Sequence, residues 1–541
     1  MFSWSGRLNL LQKCLIVSAF GLEILALVAY GVIGKLSSPV AADAAAGGQN
    51  ASCANAAFAA NPIVAENTCP GTSDWRANLP LGPQNAIEAF TAPISVNAGE
   101  QIKMFVSTTA PSYSFRIYRM GWYQGLGGHL VYSSQVRQGI NQPAPVVEPA
   151  TRMVSASNWH DPITLKIPTS WVSGVYVVKL VSSAGLMRYT EFVVRDDASR
   201  APVLFQSSVL TYQAGNSWGG RSLDGTGTAN TTGDRSFAVS FDRPEVENAG
   251  LSDFTTYEYN LLSWLERQGY DVTYTTDVDT DLHGQLLLHH RLFLAAGHDE
   301  YWSAGMRTNI TQARAAGVSL AFFGANDAYW HVRLQSSPLG ADRVVICYKD
   351  AALDPLYGHD PSSATTLWQN PPLNQPGQAL LGATFSGVVV GSAPLVLSSG
   401  AAPFLHGTAL HVGSAVAGLE GAEVDTTSAG GDAGEFDSVL PNLAIPPALT
   451  ILASSPVKAQ PNGNDNPNPN QPGIPTATAT LYTAPGGARV FDAATYWWAL
   501  GLENMHADAS VPSGSYGSRD FQRFTSNLLD YLLRSNTSPA N

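Results

Sequence analysis

The chain is poor in charge. Only 13% of its 541 residues are Asp, Glu, Lys or Arg, about half the share of an average soluble domain. Lys and Arg number 29 against 42 Asp and Glu, a net charge of -13. Basic residues form no run anywhere, which excludes the electrostatic footprint of a nucleic-acid binder. The polar surface must come from Ser, Thr, Asn, Gln and Gly, as in an exported β-rich protein. Cysteine is equally scarce: Cys14, Cys53, Cys69 and Cys347. No second close pair exists to complete four ligands, so a Cys/His zinc site is not expected. Nucleotide and serine-hydrolase fingerprints are missing as well. There is no phosphate-binding G-x-x-x-x-G-K-[ST], no Rossmann glycine pattern and no G-x-S-x-G elbow.

Apolar residues are present in quantity, at 45%, enough for a sizeable core. Near the N-terminus they form the run "CLIVSAFGLEILALVAYGVIG", residues 14 to 34, flanked by Arg7, Lys13 and Lys35. A helix of that length spans a bilayer core of roughly 30 Å. Residues 1–35 therefore read as a membrane anchor or an export signal, with Ala42-Asp43-Ala44 as a possible cleavage site. Either way the folded part is exported. It is held at the cell membrane outside the cytoplasm, or secreted or periplasmic if the signal is cleaved. Residues 36–85 are an Ala/Pro-rich spacer, and in an oxidising compartment Cys53 and Cys69 pair within it.

Residues 86–196 are short alternating segments rich in β-branched and aromatic residues, the pattern of an antiparallel β-sandwich. From Ala201 strands alternate with helical patterns: "APVLFQSS", "NLLSWLERQGY", "DVTYTT", "RLFLAAG", "SAGMRTNITQARAAG" and "VSLAFFGAN". Residues 200–535 are expected to form an α/β domain with a mainly parallel sheet, of the flavodoxin or glutamine-amidotransferase kind. Gly269 should follow one helix as its C-terminal stop, and Ser303 should cap the next. The low-complexity stretch 456–476 reads as a surface loop.

In such sheets ligands sit beyond the carboxyl ends of the strands. His298, Asp299, Glu300, Tyr301 and Trp302 occupy that position after one strand. Asn326, Asp327, Tyr329 and Trp330 occupy it after the next. The first cluster is denser in reactive groups than a capped turn requires. "TTDVDTDLH" (Asp277, Asp279, Asp281, His283) lacks the glycine and closing glutamate of a calcium loop and reads as a polar loop. "GLEGAEVD", with Glu420, Glu423 and Asp425, means little by itself, and Cys347 reads as a buried strand cysteine.

Several ordered stretches resemble the C-terminal region of the large (beta) subunit of N,N-dimethylformamidase. They are "RIYRMGWYQGLGG", "TYQAGNSWGGRS", "LLSWLERQGYDVTYTTDVD", "GHDEYWS", "FFGANDAYW", "GAEVD" and "GGARVFDAATYWWALGL". The resemblance implies an amidohydrolase whose Fe(III) is held by two tyrosine phenolates and one glutamate. Such a hard cation prefers anionic oxygen and can activate water and polarise a carbonyl. Carried onto this sequence, the ligands are Tyr301, Glu423 (with Glu420 as runner-up) and Tyr259, with Tyr257 and Asn260 competing for the last position. His298 and Glu300 would then move protons. The expected function is an exported, iron-dependent hydrolase-like protein acting on an amide-type C–N bond of a small or polymeric substrate. The alternative is a non-catalytic, envelope-anchored module that binds carbohydrate or peptide. Trp122, Tyr123, Trp218, Tyr329 and Trp330 would then supply its apolar faces.

Overall fold

Strand-forming stretches between Ile87 and Arg195 pair into two sheets and one short ribbon, Val146–Glu148 with Met153–Ser155. Strands β1 (Ile87–Ala92), β2 (Ser95–Asn97), β3 (Gln101–Thr108), β4 (Ser112–Met120), β5 (Gly128–Ser133), β6 (Ile163–Lys166), β7 (Gly174–Ser182) and β8 (Met187–Arg195) divide between the two sheets. One sheet runs β1-β3-β6 and the other β2-β8-β7-β4-β5. All these pairs are antiparallel except β2 with β8. The layer between the sheets is filled by Ile102, Met104, Phe115, Ile117, Tyr176, Val178, Leu180 and Phe192. The structure is a computed structural model describing Cys53 and residues 55–83, 85–225, 234–391, 393–421, 434–459, 475–503 and 516–534. The apolar segment 14–34, Glu423 and most of the 456–476 stretch lie outside the described residues. Among the described residues no helix is long and apolar enough to cross a membrane.

The second face of the larger sheet is also dry. On β7, Tyr176 and Val178 point into the sandwich, and Val175 and Val177 join a different core with Tyr118, Tyr189, Leu261 and Trp264. Alternation therefore fails as a guide to exposure here, because both faces are covered. Each such aliphatic side chain contributes about 1.5–3 kcal/mol by leaving water. Ala51–Asn541 is accordingly one compact unit.

The covering layer is built on strands β9 (Val203–Ser207), β10 (Val272–Thr276), β11 (Leu292–Gly297), β12 (Ser319–Gly324), β13 (Thr450–Pro456), β14 (Thr476–Thr483) and β15 (Arg489–Asp492). Their order is β10-β9-β11-β12-β15-β14-β13. The pairs from β10 to β15 are parallel, and β15-β14 and β14-β13 are antiparallel. Beside them stand a four-stranded, largely antiparallel sheet (Ala238–Ser240, Gly340–Ile346, Trp330–Ser337, Tyr301–Ser303) and two antiparallel ribbons. The expected fold class is thereby corrected. The chain is strand-rich, with mixed and antiparallel sheets, and is not a mainly parallel flavodoxin-like α/β domain. The strand–helix alternation that suggested the latter stops near Gly324. Beyond it the chain returns through hairpins, whose long-range pairing leaves no mark on local periodicity.

Helices are short and locally specified. Helix α1 (Pro62–Glu66) has proline in its first turn, and Asn61 accepts a bond from the Val64 N–H. Helix α2 (Tyr259–Arg267) buries Leu261, Leu262, Trp264 and Leu265, and Gly269 follows it at φ +78. Helix α3 (Asp277–Leu282) occupies the stretch expected to be a polar loop. The reason is a capping box: Thr276 and Asp279 bond reciprocally to each other's backbone N–H. Helix α4 (Ala304–Ala315) is capped by Ser303, whose hydroxyl accepts from the Met306 N–H at 3.0 Å. Helix α5 (Arg519–Leu533) lays Phe521, Phe524 and Leu528 into the core that holds Trp498.

Candidate functional site

Strand β11 ends on Gly297, at φ +75, where an added Cβ would stand 2.1 Å from that of Tyr257. Only glycine admits this close approach. It lets the chain turn sharply, so His298 leaves the strand end toward Tyr257 and Tyr496 rather than along the sheet. The imidazole ring lies 4.8 Å from that of Tyr496, and Tyr496 lies 5.0 Å from Tyr257. His298 Nε2 stands 3.4 Å from Glu300 Oε2 and 3.5 Å from Glu435 Oε2. The Tyr496 hydroxyl donates to that same Glu435 oxygen. One imidazole nitrogen thus faces two carboxyl groups, one of them oriented by a phenol. His298 and Glu300 come from the loop after β11, Tyr496 follows β15, and Glu435 opens the ribbon strand Glu435–Ser438.

Next to this rim lies a second set. The Tyr301 hydroxyl donates to Asp224 Oδ1 at 3.0 Å. Lys349 pairs with the same oxygen, and its Nζ lies 5.3 Å from the Tyr301 ring centre and 4.7 Å from that of Trp330. The ammonium charge reaches both His298 and Glu300.

Burial sets the protonation of these groups in opposite directions. It pushes the His298 imidazole down to about 4, with Asp224 opposing and Lys349 reinforcing, so the ring is neutral at neutral pH. It pushes Glu300 well above the usual carboxylate range, against the Lys349 charge and with help from Glu435 and Asp224. The Tyr301 and Tyr496 phenols are also raised, first by burial and then by neighbouring carboxyls.

Not all of the residues expected from the sequence meet. His298 and Glu300 do. Tyr259 is fully buried against Trp75 and Phe254, with its hydroxyl directed 3.5 Å from the Gly121 carbonyl. Its partners belong to the sandwich face, whereas the Tyr301 hydroxyl turns to Asp224 and Lys349. Glu423 lies outside the described residues. Glu420 is buried and accepts from Ser455 at 2.8 Å, and Asn260 is buried with neither amide atom paired among the described residues. Tyr257 alone of the alternative ligands stands on the His298 rim.

Tyr301 and Tyr259 do not fit as the two phenolate ligands of one Fe(III) ion. The two phenols have separate surroundings. Tyr301 donates its proton to the Asp224 carboxyl, and its burial and that carboxyl both oppose a phenolate.

Asp299 is wholly buried, its Oδ2 accepts from Gln206 Nε2 at 2.8 Å, and its N–H donates to Asp327 at 3.1 Å. Glu435, Tyr496, Asp224 and Lys349 were missed in the sequence. Tyr496 had a usable signal, because it follows the strand "ARVFD" as His298 follows "RLFLAAG". The other three come from loops and ribbons whose position only the fold fixes.

Residues 114–509 match the family described as N,N-dimethylformamidase beta subunit-like, C-terminal. The chain belongs to that family. The match contains the entire rim, from Asp224 to Tyr496. No curated protein matches the chain. Among solved structures, a superoxide reductase (neelaredoxin) from Ignicoccus hospitalis is 13% identical, with a TM-score of 0.13. It aligns over 20% of this chain and 77% of its own. A cycloisomaltooligosaccharide glucanotransferase of Paenibacillus sp. is 10% identical over 75% of this chain and 98% of its own, with a TM-score of 0.16. At those scores neither likeness extends what family membership establishes.

Proposed function

We propose that this chain hydrolyses an amide-type C–N bond at the His298–Glu300–Glu435–Tyr496 rim. The observation that carries the proposal is the position of His298 Nε2 between two carboxyl groups, one of them oriented by the Tyr496 hydroxyl. Neutral His298 has a lone pair to accept the proton of an attacking water. Glu300, held protonated by burial, is placed to donate to the departing amine. Two titratable neighbours driven apart in this way are suited to complementary base and acid roles. Glu435, oriented by Tyr496, faces the same imidazole nitrogen and helps hold the ring. The Lys349 ammonium, near both groups, favours negative charge as it develops on the carbonyl oxygen.

The same reading places the folded part outside the cytoplasm, supported by the Cys53–Cys69 disulfide. The carbohydrate- or peptide-binding alternative gains no comparable support. Of its five aromatics, Tyr123, Trp218, Tyr329 and Trp330 are buried and only Trp122 is half-buried, so no open aromatic platform is formed.

The test is release of amine and carboxylate from a panel of amides, starting with N,N-dimethylformamide. His298→Gln and Glu300→Gln should each lower turnover about 10²–10⁴-fold, the usual worth of a general acid or base, with unfolding midpoints unchanged or raised. Equal turnover in the variants, or none by the parent protein on any amide, would overturn the proposal.

A further inference from the structure

Away from that rim, four metal-ligating side chains meet where the N-terminal segment crosses the larger sandwich sheet. Cys53 and Cys69 form a disulfide, and both are buried. Glu66, the last residue of α1, and His129, on β5, complete the group. The ligand atoms of Glu66, Cys69 and His129 all lie within 4.8 Å of one another. His129 Nδ1 is 2.8 Å from Glu66 Oε1, which also accepts from the Tyr123 hydroxyl at 2.8 Å. The second carboxylate oxygen, Oε2, faces the Cys69 sulfur at 3.9 Å. A disulfide sulfur has no proton to donate, so that buried anionic oxygen faces a group that cannot satisfy it.

We propose that this cluster is a zinc site in its reduced form, so that one position is closed either by a disulfide or by Zn²⁺. Reduction needs a dithiol. Its two sulfurs become a disulfide as the Cys53–Cys69 bond breaks, and two electrons and two protons pass to the cysteines. Zinc then displaces both thiol protons and takes two thiolates, one carboxylate oxygen and one imidazole nitrogen. Four donors of this softness match tetrahedral zinc.

The geometry needs little rearrangement. With zinc–sulfur and zinc–oxygen bonds of about 2.3 and 2.1 Å, tetrahedral sulfur and oxygen stand roughly 3.6 Å apart, against the 3.9 Å observed between Cys69 and Glu66. The two sulfurs must separate to roughly 3.8 Å. His129 Nδ1, now 2.8 Å from the other carboxylate oxygen Oε1, must turn from it to the metal. Two thiolates and a carboxylate around Zn²⁺ leave one net negative charge. The Arg119 guanidinium, which donates to the Tyr123 hydroxyl at 3.1 Å and whose charge acts on Glu66, lies on the side that offsets it. Tyr123 also fixes the carboxylate from behind, as groups around metal ligands commonly do.

The sequence argues against such a site only because it contains no second cysteine pair. Glu66 and His129 supply the missing donors, and His129 is 60 positions from Cys69.

The test uses the whole chain. After reduction with a phosphine and buffer exchange without oxygen, it should bind one added Zn²⁺ per molecule, and the oxidised protein none. Co²⁺ in place of zinc should give the strong visible bands of a tetrahedral site and a thiolate charge-transfer band near the ultraviolet. His129→Ala and Glu66→Gln should each weaken binding at least tenfold, and Cys53→Ser/Cys69→Ser should abolish it. If those variants do not fold, the Co²⁺ spectrum of the unmodified chain decides. Absence of binding, an octahedral cobalt spectrum, or binding that survives loss of both cysteines would overturn the site.

Discussion

His298 illustrates how one residue acquires a chemistry its type does not carry alone. An exposed imidazole titrates near neutrality. Here burial holds it neutral while two carboxyls stand within 3.5 Å of its Nε2. The same burial acts on the carboxyls beneath the rim. Asp492, at the end of β15, is fully buried, and its desolvation raises it to about 7 although the Ala494 N–H bonds its Oδ1 at 2.9 Å. A folded-state value above the unfolded one near 3.8 means that the folded chain binds this proton more tightly. The resulting stability is present below pH 3.8 and is lost as pH rises through about 7. Asp492→Asn should therefore match the parent near pH 4 and exceed it above pH 8, by an amount on the order of a few kcal/mol. Urea unfolding of both proteins at the two pH values checks this. A variant equally destabilised at each would contradict it.

At the scale of elements, α3 shows a local signal overlooked and then joined to a distant one. Thr276 and Asp279 have the spacing of a capping box, although the run of aspartates resembles a loop. Asp279 also accepts from Ser95 at 2.7 Å and pairs with Arg195 Nη1 at 2.6 Å, tying α3 to strands β2 and β8. These two roles predict different costs. Thr276→Ala removes a cap and should destabilise by about 1 kcal/mol. Asp279→Ala also leaves a buried guanidinium short of a partner and should cost about 3 kcal/mol. This figure is the low end for such pairs, because Asp197 still holds Arg195 Nε at 3.0 Å. Denaturation midpoints of the two variants check the order, and equal losses would refute the second role. The capping of α4 by Ser303 and the stop at Gly269 were legible because both depend on neighbours within a few positions. The pairing of β15 with β14, against the parallel direction of the strands before them, was not.

The whole molecule is held together by charge as well as by apolar area. Arg119 on β4 and Glu266 on α2 form a pair with both side chains fully buried, at 2.8 Å, and Tyr274 donates to the same carboxylate at 2.8 Å. Removing one partner strands the other charge in a dry interface, at about 3–5 kcal/mol. Replacing both with apolar groups costs less. Glu266→Leu should thus lower the melting temperature more than Arg119→Met/Glu266→Leu does. Both should melt in one transition, since the sandwich and its covering layer share one core. Calorimetry decides. Two separated transitions, or a double variant less stable than the single, would contradict the account.

By itself the sequence determined what depends on composition, on short spacing and on ordered motifs. The close cysteine pair announced its disulfide. The run from "RIYRMGWY" to "TYWWAL" announced the family. Strand ends and caps were legible for the same reason, because their chemistry lies within one turn of chain. Tertiary structure alone decided which distant side chains meet. It brought Glu435 and Tyr496 to His298, sent Tyr259 to the sandwich face and Tyr301 to Asp224, and set His129 beside Cys69. Periodicity shows which face a residue occupies but not what covers that face. The meeting of groups far apart in the chain is fixed by sheet order and by the packing of one sheet on another.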